Sequence, residues 1–320
     1  MKAVVLEAGG ARFVDDHPVP AAVGSEILVD VLEAGICETD LQLMAGYMKF
    51  RGVLGHEFVG VARSGRLAGR RVVGEINCPC GSCSTCTGGL GNHCSQRTVL
   101  GILGRDGAFA ERLVLPEANL HEVPEGMPDR VAVFAEPAAA ALQVLEQVPP
   151  AGGESVVVLG AGRLGNLCAQ ALAAAGCRVR VVGKHDEKLS ILDRMGIATS
   201  RLDDTSPDHL ADIVVDATGS ASGLPTALGF VRPRGTIVLK TTIAGDQRLV
   251  LAPIVIDEVT VVGSRCGPLA RALEALADGT FDVTPLVGDV YDLEDAVEAL
   301  QRAGSDRGVV KLVLSVEKLL

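Results

Sequence analysis

Residues 155–159, Ser-Val-Val-Val-Leu, run straight into Gly160-Ala161-Gly162-Arg163-Leu164-Gly165, and then into an alanine-rich stretch that stops at Gly176. This is the most constraining feature of the chain. An apolar strand that turns on glycine into a helix must pack that helix back against the strand, and the three glycines permit the tight turn and the close approach. The helix start also offers unpaired N–H groups to an anion. G-x-G-x-x-G alone is a weak signal, but between a strand and a helix it reads as a dinucleotide site formed by Gly160, Gly162, Arg163, Leu164 and Gly165. The plain alternative is a tight turn with no ligand.

The second strand of this unit, residues 178–182, ends in Gly183-Lys184-His185. A carboxylate at that strand end would bond a ribose 2′-hydroxyl and select NAD. Gly183 supplies none, and Lys184 can meet a 2′-phosphate, so the reading favours NADP over NAD. Asp186 and Glu187 come later and read as the first turn of the next helix. Further strands at 213–216, 236–240 and 259–262 alternate with helical stretches, which predicts a parallel sheet with helical crossovers. Helices are also expected at 187–195, 268–277 and 293–303, and a last strand at 309–315. Up to about residue 135 the style differs. Short apolar strands at 26–34, 70–73 and 108–115, separated by Gly and Pro, suggest a small β-barrel or sandwich.

Composition removes several function classes. The 320 residues carry a net charge of −11, which is unsuited to a sequence-independent nucleic-acid binder. Aromatic residues make up 3%, with no Trp, so stacking platforms for bases or sugars are not expected. Hydrophobic residues make up 48%, enough for a large core. No uncharged apolar run reaches membrane-spanning length, because Glu136, Arg163 and Glu258 interrupt the best candidates. No apolar targeting segment follows Met1, so the chain reads as cytoplasmic, where nine cysteines are metal ligands or core residues before they are disulfides.

Cys80, Cys83, Cys86 and Cys94 follow the spacing C-x2-C-x2-C-x7-C in a stretch with almost nothing apolar to bury. Four thiolates so spaced can close a tetrahedron around Zn²⁺, which then replaces the missing core. An iron–sulfur site and a metal-free loop are the alternatives, and Cys78 reads as a bystander. Cys37 in Gly35-Ile36-Cys37-Glu38-Thr39-Asp40, His56 in Gly55-His56-Glu57, and Glu136 in Ala135-Glu136-Pro137 are each unremarkable alone.

Together, and in this order with Gly107-Ala108-Phe109-Ala110-Glu111, the glycine turn and Asp216-Ala217-Thr218-Gly219, they resemble the zinc-dependent medium-chain dehydrogenase/reductase family of alcohol and polyol dehydrogenases. The likeness runs over essentially the whole chain. It implies an α/β fold: a GroES-like β-barrel catalytic domain (residues 1–138, with the cysteine lobe at 78–94), a Rossmann-type doubly wound parallel sheet (139–264), and a C-terminal segment (265–320) completing the catalytic domain. The active site would lie in the cleft between the two domains.

The resemblance further implies two zinc ions per chain. Cys37 and His56 would hold a catalytic zinc, with Glu57 and Glu136 competing for the rest of its shell. The four lobe cysteines would hold a structural zinc. Thr39 matches the hydroxyl that accepts the substrate proton, while Gln42 stands where some relatives have a histidine. The expected partners are a small alcohol or carbonyl substrate and further copies of the chain, as a dimer or tetramer. Glu75 and Asn77 hint at a polar, polyol-like substrate, or else serve the barrel. Two alternatives are a zinc-free quinone or enoyl reductase of the same superfamily, and a non-enzymatic dinucleotide-binding protein.

Overall fold

Strand Glu26–Gly35 organises the first part of the computed structural model, which describes residues 1–243, 249–306 and 308–316. It pairs antiparallel with Glu57–Ala62, with Arg112–Pro116 and with the C-terminal strand Lys311–Ser315. Arg71–Gly74, Leu120–Glu122 and Val287–Asp292 complete a seven-stranded sheet. Its sequence alternates, so Ile27, Val29 and Val31 face the core while Asp30 meets Arg112 outside. A register shift between Val31 and Glu33 breaks the alternation and brings Ala34 and Gly35 into the interior. The stretch 108–111 does not extend the strand at Arg112. It inserts instead, with Ala108 and Phe109 donating to the carbonyls of Gly55 and Leu54 at 2.8 Å. An ideal Cβ at Gly55 would meet the buried Phe109 ring, so glycine is required immediately before His56.

The second part is a six-stranded parallel sheet in the order Ala198–Arg201, Arg178–Gly183, Ser155–Leu159, Ala211–Asp216, Val231–Leu239, Thr260–Gly263. Its central strands are buried on both faces, which is why they read as continuous Val and Leu runs. The order reverses between Ser155–Leu159 and Ala211–Asp216, and ligands of such sheets bind beyond the carboxyl ends at that point. Helix Arg163–Ala174 crosses from the first strand to the second.

The chain divides into two compact units, Met1–Glu136 with Val287–Leu320, and Pro137–Leu286. Residues 265–286 thus go with the parallel sheet. Gln170, buried on helix Arg163–Ala174, both donates to the Asp282 carbonyl at 3.1 Å and accepts its N–H at 2.8 Å. Gly267 lies so close to the Ala139 carbonyl that any Cβ would overlap it. Among the described residues, no helix is long and apolar enough to cross a membrane.

Candidate active site and metal centres

Three strand ends of the first unit converge. Cys37 follows strand Glu26–Gly35, His56 and Glu57 open strand Glu57–Ala62, and Lys311 opens Lys311–Ser315. The antiparallel register sets Gly35 opposite both Glu57 and Val313. Any Cβ at Gly35 would strike the Lys311 ammonium and the Glu57 carboxylate, so the bare glycine makes room for that pair. The ligand atoms of Cys37, His56 and Glu57 all lie within 4.8 Å of one another, near the reach of one ion with bonds of about 2.0–2.3 Å.

Asp40 fixes this arrangement. It is wholly buried three residues after Cys37 on helix Glu38–Met44. One of its oxygens accepts the Cys37 N–H at 2.8 Å. The other accepts the Gly55 N–H at 3.3 Å and lies 3.3 Å from His56 Nδ1. A carboxylate beside one ring nitrogen of a ligating histidine is the usual way such a ring is oriented for a metal at the other. Burial opposes the charged imidazole, but Asp40 and Cys37 outweigh it and hold His56 well above the ordinary histidine range.

Glu57 and Lys311 are both fully buried and form an ion pair. Burial pushes the ammonium down to about 8 while Cys37 and Asp40 pull it upward, so the group is a cation at neutral pH. Its Nζ also lies 5.5 Å above the Phe134 ring. If Cys37 and His56 give up their protons, the two carboxylates, the thiolate and this ammonium leave an excess of negative charge that a divalent cation would balance. The donor set and its charge therefore fit zinc.

The second cluster is the cysteine lobe. Sulfur separations are 3.4 Å for Cys83–Cys86, 3.6 Å for Cys80–Cys94, 3.8 Å for Cys83–Cys94 and 3.9 Å for Cys80–Cys86. A zinc tetrahedron with bonds of about 2.3 Å has edges of about 3.8 Å, so these thiols already outline one. All four are free cysteines. Backbone N–H groups of Ser82 and Cys83 push Cys80 down to about 6, whereas burial and the neighbouring thiols push Cys86 up to about 12. Four thiolates this close would repel one another, and a divalent cation at their centre would relieve that repulsion. Cys78 is buried elsewhere, with the Asn119 amide 3.8 Å from its sulfur, and stands outside the set.

In the parallel-sheet unit each glycine of the turn does a separate job. Gly160 has a φ of 99° and a Cβ there would lie 2.6 Å from the Ala217 carbonyl oxygen. A Cβ at Gly165 would overlap the Gly160 carbonyl, so the helix packs on the strand only with glycine there. A Cβ at Gly162 would meet nothing within 4 Å, leaving open space at the start of helix Arg163–Ala174, where no side chain caps the N-terminus. That opening fits a dinucleotide pyrophosphate. At Gly183 a Cβ would come within 3.0 Å of Leu189 and 3.1 Å of Ala161, so a larger side chain there would have to push these neighbours aside. Lys184 is exposed beside it.

Of the other expected site residues, Thr39 places its hydroxyl 3.7 Å from the Cys37 sulfur. Gln42 is tied to Glu38 at 2.9 Å. Glu136, in the first turn of helix Ala135–Gln147, is not part of the Cys37–His56–Glu57 set. Glu75 lies 3.2 Å from His121 Nε2. Asp40 and Lys311 escaped the reading from sequence, although a lysine inside the apolar run Val309 to Leu314 was a visible signal.

Two family models match the chain. "Alcohol dehydrogenase GroES-like domain" covers residues 24–125 and "Zinc-binding dehydrogenase" covers residues 164–279. The L-threonine 3-dehydrogenase of Streptomyces avermitilis is 32% identical, over 96% of this chain and 97% of its own. The chain belongs to the zinc-type medium-chain alcohol dehydrogenase family. The D-xylulose reductase A of Aspergillus oryzae is 28% identical over 98% of this chain and 96% of its own. A short chain alcohol dehydrogenase from Escherichia coli CFT073, solved with NADH, superposes with a TM-score of 0.89 at 26% identity, covering 99% of both chains. This family member thus combines the GroES-like and Rossmann folds with the chemistry of alcohol oxidation and carbonyl reduction.

The buried pair gives a first prediction. In metal-free protein, Lys311→Met and Glu57→Gln should each cost about 3–5 kcal/mol, because each leaves the partner's charge buried. The double variant should lose much less than the sum, read by a denaturant-unfolding cycle. A second follows from His56. Its raised proton affinity must be overcome on metal binding, so zinc affinity at this site should fall as the pH drops, starting above the pH where an ordinary histidine titrates. Competition with a chromophoric chelator across pH measures this. An affinity independent of pH would contradict it.

Proposed function

We propose that the chain is a two-zinc, NADP-preferring dehydrogenase of small secondary alcohols that carry further polar groups. The observation that carries this reading is the Cys37–His56–Glu57 set with the Thr39 hydroxyl beside it. Cys37, His56 and Glu57 would hold the catalytic zinc, with Glu136 as an alternative ligand, and the four lobe cysteines the structural one. Gly160, Gly162, Arg163, Leu164 and Gly165 would seat the pyrophosphate, and Gly183 and Lys184 the 2′-phosphate end. The names of the threonine and xylulose relatives support the substrate class.

When bound, the catalytic zinc supplies Lewis acidity toward an alcohol or carbonyl oxygen, and the nicotinamide carries the hydride. The protein's own groups do the rest. Asp40 keeps His56 in its ligating tautomer. The Lys311 ammonium holds Glu57, so that a carboxylate is available without closing the site to substrate. Thr39 takes the proton of the substrate hydroxyl and, having no basicity of its own, passes it on to water or to the cofactor ribose. Gln42 cannot titrate and, bonded to Glu38, is not the outlet.

A second copy of the chain is the proposed partner. Val250, Leu251, Val255 and Ile256 expose 60–77% of their surface beside Thr260–Gly263, an edge strand of the parallel sheet. An open edge flanked by an apolar patch is covered most simply by its own twofold mate.

Cofactor-reduction assays across small alcohols, polyols and amino-alcohols, with NADP and NAD in parallel, test the reading. Thr39→Val should cut kcat by roughly 10² or more with zinc retained, while Gln42→Ala changes it little. The reverse pattern would reassign the relay. Ile256→Lys should shift the chain toward monomer in analytical ultracentrifugation, whereas an unchanged assembly would contradict the proposed face.

A further inference from the structure

The edge strand Ala198–Arg201 brings a cation to the place where the cofactor reading needs one. In the parallel ladder Arg201 is the partner of Gly183, and the Leu202 N–H donates to the Gly183 carbonyl at 2.8 Å. An ideal Cβ at Gly183 would stand 3.1 Å from Ala161, so this strand end adjoins the glycine turn. From there the Arg201 side chain reaches across to helix Asp186–Arg194. Its Nη1 donates to Asp186 Oδ2 at 2.8 Å, so the guanidinium extends over residues 183–186. Asp203 and Asp204 lie farther off, at 3.5 and 4.0 Å, and are about three-quarters exposed. Exposed pairs of that kind contribute little.

We propose that Arg201, together with Lys184, forms the cationic site for the 2′-phosphate of an adenine dinucleotide. The proposal rests on the NADP reading above and names a specificity residue from a different strand. Two effects act together. The guanidinium cancels Asp186, the nearest carboxylate to the strand end. It also keeps donor N–H groups for a phosphate oxygen, because its side chain is 39% exposed and its pairs with Asp186, Asp203 and Asp204, at 2.8, 3.5 and 4.0 Å, all lie at the surface where solvent screens them. A phosphate monoester with nearly two negative charges, bound bidentately, outcompetes these exposed aspartates for such a fork.

The test is direct binding to the intact protein, with no turnover. Adenosine 2′,5′-bisphosphate and adenosine 5′-monophosphate are titrated by calorimetry at low and raised salt. Wild type should bind the bisphosphate about tenfold or more tightly than the monophosphate, and the difference should shrink with salt. Arg201→Ala should remove about tenfold from bisphosphate binding and leave the monophosphate within about twofold. Arg201→Lys should retain part of the preference. Asp186→Asn should tighten the bisphosphate, because it releases Arg201 and deletes a repelling charge. Equal binding of both probes by wild type would overturn the NADP reading itself. A wild-type preference that survives intact in Arg201→Ala would overturn the Arg201 assignment alone. Parallel weakening of both probes would also overturn it, since Arg201 would then only tether its strand to the helix.

Discussion

A carboxylate and an ammonium buried side by side, Glu57 and Lys311, set the terms for the rest of the first unit. Neither charge is tolerable there alone. Their pairing requires the C-terminal strand to lie against Glu26–Gly35, and it requires glycine at position 35. It also brings together a thiol, an imidazole and three charged groups whose sum is negative. A protonated His56 balances that excess in the free cluster, and a bound divalent cation would take its place once His56 and Cys37 give up their protons. Asp40, 3.3 Å from His56 Nδ1, lies where it can orient that ring.

The same economy of small residues governs the parallel-sheet unit. Gly165 lets a helix touch a strand, Gly160 turns the chain, and Gly162 leaves an opening. The cysteine lobe solves a different problem. It has little to bury, and its sulfurs stand 3.4–3.9 Å apart, the edge lengths of a zinc tetrahedron.

Much of this was legible in the sequence because the signals were local. The strand–glycine–helix pattern, the cysteine spacing and the His56-Glu57 pair are each readable within a few residues. Their order along the chain carried the family resemblance, and the family models and relatives agree with it. What was missed depends on tertiary contact. Lys311 lies 254 positions from Glu57, and only the sheet order joins them. Edge strand Ala198–Arg201, with a single central Thr-Ser pair and no apolar run, gave no periodic signal. The stretch 108–111 had strand-like composition but inserts against Leu54 and Gly55. Residues 265–286 go with the parallel sheet because Gln170 and Ala139 hold them there, which no local pattern announces.

In the proposed function the Cys37–His56–Glu57 cluster and the cysteine lobe bind zinc for different purposes. Zinc content and alcohol-dependent cofactor reduction, measured together on wild type, Cys37→Ser and Cys83→Ser, address it most directly. About two zinc ions per wild-type chain are expected. Cys37→Ser should lose one ion and nearly all turnover while unfolding at close to the wild-type denaturant midpoint. Cys83→Ser should lose the other and unfold much earlier. A Cys37→Ser protein that kept full turnover would contradict the account.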